Sequence, residues 1–166
     1  CNTLRHMQAM RNHKQSYYVK WGADLSLYKP CKKENGELVF FHSMGMSFRK
    51  GTKKLIKTFI KGNLGRESKL IIHTQLPLNQ ITEYNEEDLE KFGIIIISKT
   101  VTAPGLYHLG DVYVYPTELD GLGLTMYEAL ACGLPVITTN NAPMNEVIED
   151  NVNGKLVSVE EFRSRA

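Results

Sequence analysis

Two carboxylates, Asp120 and Glu128, bracket a glycine loop and a helix start in the run from Pro116 to Ile137, with seven residues between them. Gly121 and Gly123 lack a Cβ, so backbone N–H groups there can approach a ligand closely. The helix is predicted to begin near Gly123. Its first N–H groups have no partner within the helix, which makes its start a natural phosphate site. Asp120 lies just before that start, and Glu128 lies about five residues in, about 7 Å along the axis at 1.5 Å per residue. This geometry suits a ligand charged in its middle and carrying hydroxyls at both ends: one carboxylate accepts from a sugar, the other from a ribose, and a diphosphate lies between. A nucleotide-sugar is such a ligand. Carboxylates repel phosphates, so the arrangement needs cations and amides nearby. The same local pattern also describes an ordinary strand-turn-helix in which Asp120 caps the helix and Glu128 faces water. A lone Gly-x-Gly does not decide between the two, and the third glycine of the dinucleotide fingerprint is absent.

The elements that must position these residues alternate strand and helix. Strands are predicted at Leu38–Phe41, Leu70–Ile72, Ile94–Ile97, Asp111–Tyr115, Val136–Thr138 and Lys155–Val157. Ile94–Ile97 is all β-branched, as parallel strands buried on both faces tend to be. Helices are predicted at Thr52–Ile60, with Leu55, Ile56, Phe59 and Ile60 on one face, and at Glu86–Phe92, Pro104–Leu109, 123–132 and Met144–Glu149. Gly133 and Pro135 stop the helix that carries Glu128. Regular alternation of this kind predicts an α/β fold, a Rossmann-like doubly wound parallel sheet, with ligands bound at the carboxyl ends of the strands. The Asp120–Gly123 loop follows one such end and the Gly45–Gly51 loop another, so the two are predicted to face one another across a cleft. Residues 1–30 are polar and differ in texture. They read as the end of another domain plus a linker, and 31–166 as the ligand-binding domain.

Composition bounds the function. The chain has 166 residues, enough for one domain with a real core, and its 42% hydrophobic and 23% charged content is that of a globular protein. A net charge of +2 is too mild to imply nucleic acid. Cys1, Cys31 and Cys132 are too few and too scattered for a disulfide framework or a zinc site, which fits a reducing cytosol, and Cys132 reads as small core filler. No apolar run is long enough to span a bilayer. The start lacks a methionine and does not read as a signal peptide, so the sequence reads as part of a longer chain.

Four blocks, in order, resemble the C-terminal, donor-binding domain of a GT-B retaining glycosyltransferase of family 4, the "group 1" kind. They are Trp21–Pro30, similar to the inter-domain segment; Arg49-Lys50-Gly51 opening a helix, similar to a basic phosphate loop; Leu106–Pro116; and Asp120–Val136 with the later Asn153–Val157. The resemblance implies that Glu128 binds the ribose hydroxyls and that Asp120 contacts the donor sugar. It implies that Gly121, Leu122, Gly123, Leu124 and Thr125 meet sugar and diphosphate, and that Lys50, and less directly Arg49, hold the diphosphate. Lys99, Thr100 and Val101 fall where the backbone contacts the base. Asp120, Glu128 and Lys50 are then the catalytic set. The reaction is metal-independent transfer of a sugar from a UDP-, GDP- or ADP-sugar, with no cofactor, to a saccharide or glycolipid acceptor bound by a missing N-terminal domain. On this reading the isolated chain binds nucleotide weakly and transfers nothing, and the setting is cell-surface polysaccharide or glycolipid assembly in the cytoplasm.

Departures from the family pattern matter. The first acid is usually Glu, and Asp120 is one methylene shorter. The loop after the first strand, His42–Phe48, lacks the Arg the family often places there. These departures support an alternative, a non-catalytic nucleotide-sugar-binding or scaffold domain on the same fold. A dinucleotide-dependent oxidoreductase ranks last, because only Gly45 and Gly51 follow the first strand. Lys50, Lys53, Lys54, Lys57 and Lys61 make a basic helix face, either simply solvated or in peripheral contact with anionic lipid head groups. His42 reads as core packing, with phosphate or sugar contact as the alternative. His108 reads as structural, His73 carries no signal, and Glu146 is expected to shape the cleft.

Overall fold

The structure, a computed structural model, describes residues 1–31 and 36–160. Residues 32–35 and 161–166, parts of the expected domain 31–166, lie outside the described residues. In chain order the elements are α1 (Leu4–Ala9), β1 (Leu38–Gly45), α2 (Thr52–Lys61), β2 (Ser68–Thr74), α3 (Leu78–Ile81), α4 (Glu86–Lys91), β3 (Ile94–Ser98), β4 (Val112–Tyr115), α5 (Leu124–Ala131), β5 (Val136–Thr139), α6 (Met144–Val147) and β6 (Gly154–Val157). The strands form one sheet in the order β3-β2-β1-β4-β5-β6, and every pairing is parallel. This is the α/β Rossmann-like architecture expected, with the order reversing between β1 and β4, where such sheets open a crevice for ligands.

Each face of the sheet carries its own core. Ile56 and Phe59 of α2 and Leu89 of α4 bury against Leu70, Ile72 and Ile94. Their spacing puts the apolar side of α2 on the sheet, and each fully buried side chain of this size stabilises by about 1.5–3 kcal/mol. On the other face Met126 and Ala129 of α5 and Met144 of α6 pack against Phe41, Tyr113, Tyr115 and Val136. The period-two alternation along β1 sends Phe40 to the first core and Phe41 to the second.

Several boundaries differ from the sequence expectation. β1 continues to Gly45, so His42–Gly45 is strand rather than loop. It stays paired with β2 because His42 and Ser43 satisfy their polar groups inside the fold. The helix expected at Pro104–Leu109 is a single 3-10 turn at Tyr107–Leu109. Asp111 lies outside β4, and its carboxylate accepts the Val39 N–H at 2.7 Å. α5 and α6 are shorter than expected, with Cys132 and Ile148 as their caps. α1 and α3 were not anticipated, since helices of six and four residues carry too little periodicity to be read. α1 is held by Glu146 of α6, whose two carboxylate oxygens accept the N–H groups of Leu4 at 2.5 Å and Arg5 at 3.1 Å.

Two contacts tie β1 and α2 to β4. Gly51 has φ 75°, and a Cβ there would lie 2.1 Å from the Pro116 carbonyl oxygen, so only glycine lets the start of α2 close on the end of β4. Beneath it, His42 is fully buried: Nδ1 lies 2.8 Å from the Val114 carbonyl oxygen and Nε2 lies 2.8 Å from the Thr52 hydroxyl. The carbonyl only accepts, so Nδ1 carries the proton and the Thr52 hydroxyl donates to Nε2. Burial pushes the imidazole from its ordinary 6.5 down to about 4.

Gly51→Ala is expected to cost at least about 2 kcal/mol, read as a lowered denaturant midpoint, because it adds left-handed strain to a backbone clash. The His42 shift also sets a pH dependence. A histidine held neutral in the fold takes up its proton on unfolding, so its stabilisation is complete above pH 6.5 and is lost as pH falls toward 4. Denaturant unfolding should show stability declining across that window, and His42→Gln should flatten the decline.

Candidate functional site

The two loops expected to face across a cleft are bonded together at the carboxyl edge of the sheet. The Arg49 carbonyl accepts the Glu118 N–H at 3.0 Å and the Thr117 hydroxyl at 3.2 Å. Gly51 sits on Pro116. The Arg49-Lys50-Gly51 turn and the acid loop therefore form one wall. The sequence supplied both loops, but their direct stitching depends on the parallel pairing of β1 with β4.

Asp120 shapes its own loop. Its Oδ1 accepts the N–H groups of Leu122 at 3.1 Å and Gly123 at 2.8 Å, and its Oδ2 accepts the Tyr115 hydroxyl. This is a local side-chain-to-backbone turn ahead of the helix rather than a cap on it, since the N-cap position of α5 is Gly123, in the left-handed region at φ 67°, with no side-chain cap. Burial pushes the carboxyl up, but the hydrogen bonds from Tyr115, Gly123 and Leu122 and the nearby Lys50 outweigh it and hold it below the ordinary range. The amides of Leu122 and Gly123 are thus engaged by Asp120. The helix start itself, at Leu124 and Thr125, lies one step on.

Glu128 is the fifth residue of α5, and each of its oxygens accepts one tyrosine hydroxyl. Tyr28 donates to Oε1 at 3.0 Å and Tyr107 to Oε2 at 2.5 Å. Burial, with the neighbouring Glu128 charge, pushes the Tyr28 phenol up to about 12 and that of Tyr107 higher still, so both stay protonated donors. One lone pair or more on each oxygen remains for a ligand hydroxyl. The tyrosines are held by one another: Tyr28 meets Tyr107 edge-on at 6.2 Å, Tyr107 meets Tyr113 at 5.6 Å, and Tyr113 stacks on Tyr115 at 5.8 Å.

Of the two expected cations, only Lys50 enters the site. Its ammonium lies 5.3 Å from the centre of the Tyr115 ring. Burial lowers its pKa, and the charges of Asp120 and Glu128 oppose that shift. Arg49 is exposed. Glu128 and Thr125 line a cavity of about 240 Å³ with Tyr28, Ser43, His73 and Val101. Val101 is therefore at the cavity wall, whereas the side chains of Lys99 and Thr100 are exposed and Lys99 turns only its carbonyl inward, to His73 at 2.8 Å.

Three residues of this site were not singled out from sequence as site residues: Tyr28, Tyr107 and Tyr115. The signal available was the density of tyrosine around the acid run, though Tyr28 is a hundred residues from its partner Glu128. His42 serves packing, and His108 is exposed in the Tyr107–Leu109 turn. Glu146 caps α1 and is not among the residues lining the cavity with Glu128. The expected basic face is divided: Lys50 precedes α2 and turns toward Tyr115, while Lys54 and Lys57 of α2 pair with Glu118 and Glu83 at 2.6 and 3.6 Å.

Comparison with known proteins bears on the family and the fold. The family profile described as "Glycosyl transferases group 1" matches residues 36–165. The capsular polysaccharide biosynthesis glycosyltransferase CapM of Staphylococcus aureus is 31% identical over 120 residues, 70% of this chain and 32% of that protein. O-antigen chain mannosyltransferase B of Escherichia coli is 40% identical over 47 residues, 28% of this chain and 12% of that protein. The chain thus spans a third or less of these relatives. Among solved structures, a glycosyltransferase from Rickettsia africae superimposes with a TM-score of 0.75 at 16% identity, covering 96% of this chain and 48% of that one. The C-terminal domain of a group 1 family protein from Francisella tularensis superimposes at 0.64 with 20% identity, covering 84% and 81%. Anabaena HepE, solved with UDP-glucose, superimposes at 0.68 with 17% identity, covering 97% and 50%. With four fifths of its length under the family profile and its sheet in the matching architecture, this chain belongs to the group 1 glycosyl transferases.

Proposed function

We propose that this chain is the donor-binding half of a retaining glycosyltransferase, and that the cleft beside Glu128 takes a nucleoside diphosphate sugar. The observation that carries the reading is the hold of two tyrosine hydroxyls on Glu128 at the cavity wall, with Lys50 over the ring of Tyr115, whose hydroxyl binds Asp120. Glu128 receives the ribose hydroxyls on lone pairs that the tyrosines leave open. Lys50 and the N–H groups opening α5, at Leu124 and Thr125, hold the diphosphate, with Arg49 at the rim. Asp120 keeps the loop closed around the sugar, and Gly121 admits it without a Cβ. The backbone at Lys99–Val101 borders the base. During transfer the anomeric carbon exchanges its bond to a diphosphate oxygen for one to the acceptor hydroxyl oxygen, whose proton passes to the leaving nucleoside diphosphate, with configuration kept. Negative charge grows on the leaving diphosphate, where Lys50 and the amides stabilise it without a metal.

The acceptor, a saccharide or glycolipid, is assigned to a further domain, with residues 1–30 leading from it. CapM acts in capsular polysaccharide biosynthesis by its name, and the same class of product is proposed here. No helix among the described residues is long and apolar enough to cross a membrane. A cytoplasmic setting, with peripheral contact through Lys53 and Lys61 of α2, completes the proposal. The scaffold alternative draws on Asp120, whose two oxygens are both engaged within the loop.

Calorimetric titration with UDP, GDP and ADP, with and without magnesium, tests the assignment. One nucleotide should bind saturably and independently of metal, and Glu128→Ala should abolish the binding. Binding of none, or binding indifferent to Glu128→Ala, overturns it. Tyr107→Phe and Tyr28→Phe each remove one hydrogen bond to a charged group and should weaken that nucleotide by about ten- to a hundredfold. The 166-residue chain alone should show no sugar transfer to added acceptors, and measurable turnover would contradict the half-enzyme reading.

A further inference from the structure

β1 and β2 carry a polar pair that the site described above does not use. Ser43 and His73 are registered opposite one another in the parallel sheet, and both line the cavity that holds Glu128. His73 is only 6% exposed. Its Nε2 lies 2.8 Å from the Lys99 carbonyl oxygen and its Nδ1 lies 2.9 Å from Ser43 Oγ. The carbonyl accepts only, so Nε2 carries the proton. In the neutral ring Nδ1 is then an acceptor, and the Ser43 hydroxyl must donate to it. The Ser43 proton is spent on His73, and the lone pairs of Ser43 Oγ are left for a donor in the cavity. Two apolar β-branched residues would fill these positions without any polar cost. The strand also bulges here: Ser43 pairs with His73 and Gly45 with Thr74, leaving Met44 unpaired. Such bulges re-aim a neighbouring side chain.

Position across the sheet says which part of a ligand Ser43 meets. From β4 toward β3 the cavity presents Glu128 on α5, then Ser43 on β1, His73 on β2, and Val101 beyond β3. A nucleoside with its ribose at Glu128 and its diphosphate at Lys50 extends its base toward β1 and β2. We propose that Ser43 is a specificity residue that accepts a hydrogen bond from an N–H or amino group of the nucleobase, and that His73, anchored on the Lys99 carbonyl, is the positioning residue that fixes Ser43 as an acceptor. The inference rests on the donor-site reading above and adds the group that reads the base.

The test titrates UDP, GDP and ADP, and ribose 5-diphosphate as the base-free probe, into the wild-type chain, Ser43→Ala and Ser43→Thr. The nucleotide bound by the wild type should bind Ser43→Ala about five- to tenfold more weakly. Ser43→Thr, which keeps the hydroxyl on a strand-compatible side chain, should bind as the wild type does. Ribose 5-diphosphate should not distinguish the three proteins. Equal nucleotide affinity for wild type and Ser43→Ala overturns the inference while leaving the donor site standing. An equal loss with ribose 5-diphosphate moves the contact to the sugar and overturns the base assignment. A wild-type chain that binds none of the nucleotides overturns the donor-site reading and this inference together.

Discussion

A carboxylate drawn partly out of water must be hydrogen-bonded, and here that constraint is met by phenols. Glu128 is held by Tyr28 and Tyr107, and Asp120 by Tyr115 and two loop amides. Phenols suit the task because burial beside a carboxylate pushes their pKa up and keeps them protonated donors. Their rings then bury apolar area in the same core that seats α5. One row of side chains thus serves both the packing of the sheet face and the charge of the cleft.

The row also couples distant parts of the chain. Tyr28 comes from the N-terminal segment, Tyr107 from the turn after β3, and Tyr113 and Tyr115 from β4. Their edge and stacking contacts make the position of Glu128 depend on all three. On the other side of the sheet His42 and Gly51 fasten α2 to β4, which brings Lys50 over the Tyr115 ring. Lys50 and the two acids offset one another's charge, and under the proposed function the lysine also supplies the charge that a diphosphate requires.

The comparisons reach the family and the fold, while the roles of single residues rest on geometry. Family membership concerns residues 36–165, and identities of 16–20% to the solved structures speak for architecture alone. Ser43 and His73 illustrate the difference. A serine in one strand and a histidine in another read as noise along the chain, but once registered across the sheet they form a directed hydrogen-bond relay.

What the sequence determined by itself was whatever depends on local periodicity and on residue type: the alternation of strand and helix, the parallel sheet that alternation requires, the helix start after Asp120, and the spacing of Asp120 from Glu128. Those features follow from the pleat, the helical repeat and the conformational freedom of glycine, all of which act within about ten residues. The tertiary structure decided which of Arg49 and Lys50 enters the cleft, since that depends on how Gly51 closes on Pro116. It decided that His42–Gly45 is strand rather than loop, because partners from β2, β4 and α2 satisfy those residues. It also decided that Tyr28, a hundred residues away, completes the setting of Glu128. Contacts between segments far apart along the chain leave no periodic trace in the sequence, because each partner alone is an unremarkable tyrosine, histidine or glycine.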